Sequence, residues 1–176
     1  MNGTNTIQAL EGDEWKVFYP ENFGREGLFI NIQALFVKTL GHESWVLRLP
    51  SAIFGLFTVL GLYFLTKELF SERIALFSAF FLATSFWHIN FSRMGFRAIM
   101  APFFLVWAFN FLFLGMRKLK QPFFVLAGLF FGLGAHSYIA YRVAPLIALL
   151  PLWKFYRNWQ NSNPKEVGLP NPNAVI

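Results

Sequence analysis

LPSAIFGLFTVLGLYFLT, residues 49–66, runs eighteen positions without a charge, close to the length at which an apolar helix crosses the hydrocarbon core of a bilayer. Its second residue, Pro50, suits a first helical turn, where the missing N–H has no partner to lose. The stretch reads as a membrane-spanning helix. Residues 74–90, 98–116 and 122–139 are further apolar runs of spanning type. Residues 140–156 contain Pro145 and Pro151 and are expected to form a fifth, kinked span, because packing in a membrane re-satisfies the carbonyl that a Pro frees.

Composition supports this reading. Of 176 residues, 56% are apolar and 14% charged, against about 45–50% and about 25% in soluble domains. The expected fold is an all-α integral-membrane bundle of several spans. With no Cys in the sequence, disulfide frameworks, thiol nucleophiles and Cys-based metal sites are excluded. His42, His88 and His136 form no ligand spacing, so no metal is indicated. The net charge of +6 is explained by basic loops flanking apolar helices, without nucleic acid.

Residues 1–45 are the polar front of the chain. Within them GLFINIQALFVKTL, residues 27–40, is too short to span and reads as an interfacial or re-entrant helix. Residues 157–176 form a polar tail rich in Asn and Pro. Gly128, Gly132 and Gly134 make a small-residue face suited to close helix packing. Sorting the bundle's loops by side gives eight basic residues on one (Lys67, Arg73, Arg117, Lys118, Lys120, Lys154, Arg157, Lys165) and three on the other (Arg93, Arg97, Arg142). The first side is cytoplasmic by the positive-inside rule, which leaves residues 1–45 outside. No basic n-region and apolar run opens the chain as a signal peptide would. The expectation is therefore that the full protein starts upstream with a further span.

The outer side holds basic residues that the charge rule disfavours: Arg93 and Arg97 in HINFSRMGFR, Arg142 in HSYIAYR, with Arg25 and Arg48 on the same side. A single Arg at a span end also snorkels to lipid phosphates with no specific site. Several together, near His88, Asn90, His136, Tyr138 and Tyr141, point to a bound anion. The planar guanidinium fork matches phosphate with two parallel hydrogen bonds.

Three segments carry a resemblance: ENFGREGLFINIQALFVKTLG, then WVLRLPSAIFGLFTVLGLYFLTKELF, then FWHINFSRMGFRAIMAPFFL. In order and spacing they resemble the bacterial GT-C glycosyltransferases of the protein-mannosyltransferase, Rgt and aminoarabinose-transferase type, over about residues 10–155. The resemblance implies a multi-span helical enzyme of the cytoplasmic membrane. It would transfer a sugar, with inversion, from a polyprenyl-phosphate-linked donor to a lipid, glycan or protein acceptor at the outer face. It implies that Arg25 touches the lipid phosphate, with Arg93, Arg97 and Arg142 next in order and His88, Asn90, His136 and Tyr138 secondary.

The resemblance also implies an acidic residue in the first outer loop as the base on the acceptor hydroxyl. Asp13, Glu14 and Glu26 are weak matches to it, and the family register puts the base upstream of Met1. No cofactor is required by the sequence, and a divalent ion is neither indicated nor excluded. The rival readings are a non-enzymatic transporter and an accessory membrane protein that binds a phosphorylated lipid.

Overall fold

A computed structural model describes Thr6, Phe18, Tyr19 and residues 25–161. The chain forms two compact units, residues 1–142 and 143–176, and each is taken by itself.

The first unit opens with a two-residue antiparallel pair, β1 (Phe18–Tyr19) with β2 (Arg25–Glu26), in which Phe18 faces Glu26 and Tyr19 faces Arg25. The described residues are otherwise helical, in line with the all-α expectation, and the backbone pairs only here, where β2 leads straight into the first long helix. That helix, α1 (Gly27–Leu40), covers the expected fourteen residues. Phe29, Ile30, Gln33, Ala34 and Val37 are buried, spaced at one helical face. It stops at Gly41, whose φ of +95° an L side chain rarely adopts and whose N–H pairs with the Val37 carbonyl at 2.9 Å.

Helix α2 (Leu49–Leu69) takes Pro50 into its first turn and runs three residues past the uncharged stretch. Its far end is tied by charge, with Arg117 2.9 Å from Glu68 and Lys67 3.1 Å from Glu72. The second expected span, 74–90, is not one straight helix. It is α3 (Glu72–Thr84) and α4 (Phe86–Arg93), bent by 58° at Ser85. Ser85 is extended, at φ −63° and ψ 126°. Just before it, the Thr84 hydroxyl donates back to the Phe80 carbonyl at 2.9 Å, and such bonds compete with the helical ladder.

A 3-10 turn (Arg97–Ile99) leads into α5 (Met100–Lys118), and the chain reverses at Leu119, whose left-handed φ of 53° lets its N–H reach the Gly115 carbonyl at 2.8 Å. Helix α6 (Gln121–Ala135) has 15 residues, fewer than the roughly 20 that a straight span needs. The expected span 122–139 is cut short because both the N–H and the hydroxyl of Ser137 turn back onto the Gly134 carbonyl, and a second 3-10 turn (Ile139–Val143) follows. The second unit carries α7 (Ala144–Asn161), with Pro151 inside it, so the expected fifth span starts in a 3-10 turn rather than in a helix. By length and composition, two helices among the described residues can cross a membrane, Leu49–Leu69 and Arg97–Lys118, or three if the bent pair is one span. Five were expected.

Helices α2 and α5 lie side by side. The rings of Phe54 and Phe103 meet edge to face at 4.9 Å, and the Trp107 indole N–H donates to the Phe57 carbonyl at 3.1 Å. Gly61 makes room for Val106 and Trp107. Helix α6 folds back on α5 through Phe130, whose ring touches those of Phe103, Phe104 and Phe111. Of the expected small-residue face, Gly134 alone has a close neighbour, Tyr141, while space within 4 Å of Gly128 and Gly132 is open among the described residues. Phe77, Phe80 and Phe81 on α3 are largely exposed, an outer surface that suits lipid better than water.

Candidate functional site

The α2, α3 and α4 assembly carries an open cavity of about 550 Å³, within the usual size range for small-molecule sites. Its apolar wall is a stripe along α2, Leu49, Ala52, Leu56 and Val59, faced by Ala83 and Ile89 from the broken helix. The stripe runs about 15 Å down α2 at 1.5 Å per residue. Trp45, Arg48, His88, Ser92 and Arg93 complete the lining, with His88 and Ser92 beside Gly55, midway along the stripe. The cavity is an apolar trough whose lining includes two cations, Arg48 and Arg93.

Each polar group has a local reason for its place. Arg48 immediately precedes α2 with a backbone that is already helical, its N–H bonded to the Trp45 carbonyl at 3.0 Å and its own carbonyl accepting from Ala52 at 3.2 Å. Arg93 ends α4. His88 Nε2 lies 3.1 Å from the Gly55 carbonyl; since a carbonyl only accepts, Nε2 is the donor in this bond. Ser92 donates its hydroxyl to the His88 carbonyl at 2.7 Å. Gly55 permits the approach of α4 to α2, because a Cβ there would collide with Ser92 Oγ and lie 2.9 Å from Ser92 Cβ. Among the described residues no carboxylate lines the cavity and no acidic group pairs with Arg48 or Arg93.

The structure thus brings two of the sequence candidates, His88 and Arg93, into one site. Others go elsewhere. The Arg97 guanidinium lies over the Tyr138 ring, 5.9 Å from its centre, and neither lines the cavity. Asn90 donates to the Phe86 carbonyl of its own helix at 2.8 Å. His136 closes the C-terminus of α6, and Arg142 sits exposed on the second 3-10 turn. Tyr141 is buried under α6, and burial pushes its hydroxyl pKa up, so it stays neutral. Arg25 and Glu26 are placed by backbone only, in β2 next to α1. Asp13 and Glu14 lie outside the described residues.

The sequence marks Arg48 only as a basic residue of the outer side. The available signal for Arg48 was LRLP: a guanidinium two residues before a Pro that opens a helix sits at that helix's N-terminus. No group of three or more His, Asp or Glu side chains gathers in metal-binding reach among the described residues.

A family model described as dolichyl-phosphate-mannose-protein mannosyltransferase matches residues 28–167. Comparison with curated proteins and with solved structures gave no match.

Proposed function

Because the chain belongs to the dolichyl-phosphate-mannose-protein mannosyltransferase family of GT-C-type membrane glycosyltransferases, we propose that the cavity receives the phosphate and first isoprene units of a polyprenyl-phosphate-linked sugar. The observation that carries this reading is the pairing of two cations, Arg48 and Arg93, that have no acidic partner among the described residues, with the apolar trough along α2. A phosphate needs the first and an isoprenoid chain needs the second. In the transfer, an acceptor oxygen bonds to C1 of the sugar while the bond from C1 to the phosphate oxygen breaks. Negative charge gathers on the leaving phosphate, and guanidinium groups already in place stabilise it more than they stabilise the diester.

The proposed setting is the outer face of the cytoplasmic membrane, with a lipid, glycan or protein as acceptor. The acceptor proton passes to a general base, for which Asp13, Glu14 and Glu26 stay the weak candidates of this chain. The exposed phenyl rings of α3 and the uncharged length of α2 support embedding in lipid. One observation favours a second reading, binding of a phosphorylated lipid without transfer: no carboxylate among the described residues lines the cavity.

The full chain in lipid nanodiscs, titrated with a polyprenyl monophosphate and assayed with a polyprenyl-phosphate sugar, tests both readings. A charge-assisted hydrogen bond contributes about 1.5–3 kcal/mol, so Arg48→Ala and Arg93→Ala should each weaken binding about 10- to 100-fold. Arg117→Ala, at the other end of the bundle, should not. Unchanged binding in both cavity variants would refute the site, and binding without sugar transfer would favour the second reading.

A further inference from the structure

Gln33 is an amide on the buried face of α1, 1% exposed, among Phe29, Ile30, Ala34 and Val37. Burying an amide is unfavourable unless it is hydrogen-bonded. Its Nε2 donates to the Leu47 carbonyl at 2.6 Å, across 14 residues of sequence, while its Oε1 is buried with no partner among the described residues. A Met of the same length would leave no orphaned oxygen, so the amide's distinctive contribution here is its donor.

The carbonyl it holds is a meeting point. Gly95 packs against the same oxygen: a Cβ at Gly95 would stand 3.3 Å from the Leu47 oxygen, 3.7 Å from Gln33 Nε2 and 3.8 Å from Arg48 Cα. Gly95 also has φ +69°, where glycine is favoured. Leu47 adjoins Arg48, and Gly95 follows Arg93 by two residues. Three segments distant in sequence therefore close on one oxygen, and two of them carry the cavity's guanidinium groups.

We infer that Gln33 is a positioning residue that fixes the segment of Arg48 against that of Arg93, so that both reach one phosphate. It touches no ligand itself, since it does not line the cavity. The inference rests on the reading of the cavity as a phosphate site. It also gives a role to the GLFINIQALFVKTL helix, which the site does not otherwise use.

The test uses the full chain in nanodiscs with Gln33→Met, which keeps length and loses the donor. Hydrogen exchange, which needs no ligand, should speed up over residues 41–48 and 94–97 and stay unchanged over residues 51–66. The dissociation constant for a polyprenyl monophosphate should rise about five- to tenfold, the worth of one well-placed hydrogen bond. In an Arg48→Ala background the same change should have little further effect, because Gln33 acts through Arg48; a residue serving only general stability would weaken binding equally in both backgrounds. Gly95→Ala, which presses on the other side of the Leu47 oxygen, should reproduce the pattern if Gln33→Met fails to fold.

Normal exchange and affinity in Gln33→Met, with the arginine variants impaired, would overturn the assignment and leave the cavity reading standing. Arginine variants that bind normally would overturn the cavity reading and the assignment with it. Faster exchange with unchanged affinity would reduce Gln33 to a structural contact.

Discussion

Gly55→Ala sets two known effects against each other. In a helix interior the change from Gly to Ala is worth about 1 kcal/mol in favour of the variant. At this position the new Cβ would lie 2.9 Å from Ser92 Cβ and closer still to its hydroxyl. Carbon atoms settle at about 3.5–4.0 Å, so α4 must move away from α2 by about 0.6 Å or more. Overpacking of this kind costs about 1–3 kcal/mol, which outweighs the propensity gain or cancels it.

Gly128→Ala isolates the propensity term, since nothing lies within 4 Å of a Cβ there. The difference between the two variants should therefore be about 1–3 kcal/mol, with Gly55→Ala the less stable. Unfolding in detergent micelles by rising SDS, followed by far-ultraviolet circular dichroism, measures it. Ser92→Gly removes the atoms in the way, so the double variant should recover most of the loss once the effect of Ser92→Gly alone is subtracted. A Gly55→Ala protein as stable as Gly128→Ala, or a cycle with no coupling, would refute the claim that this glycine sets the distance between α2 and α4.

Further outcomes follow from the same contacts. Gly134→Ala should destabilise by about 1–3 kcal/mol in the same titration, because its Cβ would overlap the Tyr141 ring. Arg117→Gln should cost about 1 kcal/mol in the same titration, since the guanidinium is largely exposed while the Glu68 carboxylate it leaves is mostly buried. Reporters attached at Gly95 and at Lys118 should map to opposite sides of the membrane, Gly95 outside, and the reverse result would invert the topology and remove the outer-face site.

The regular helices were legible because their signals are local. The fourteen residues of α1 lie between polar segments, and α2 begins at a Pro and stays uncharged for more than four turns. The break at Ser85 was not legible in this way: Thr84-Ser85 contains neither Gly nor Pro, and the helix yields there while hydroxyl and histidine groups bind backbone carbonyls across and along the bundle. The site divides along the same line. His88 and Arg93 were visible as polar residues at a span end, whereas Arg97 looked equivalent and instead lies over Tyr138. Gln33 carries no sequence signal of its partner, because the oxygen it binds is fourteen residues away and belongs to a backbone group.

The bend at Ser85 and the glycine at position 55 are two halves of one device. Helix α4 has eight residues and so a length of about 12 Å. A 58° bend carries its far end about 10 Å from the course a straight helix would take. Arg93, the last residue of that bent segment, joins Arg48 in lining the trough. The bent segment can settle there only where α2 offers no side chain, and Gly55 is the residue that His88 and Ser92 meet. On the reading of the cavity as a phosphate site, a straight second span would keep the apolar wall and take Arg93 out of its lining, leaving a groove for any lipid chain. Selectivity for a phosphorylated one would then reside in the break, not in the hydrophobic pattern that makes the helices.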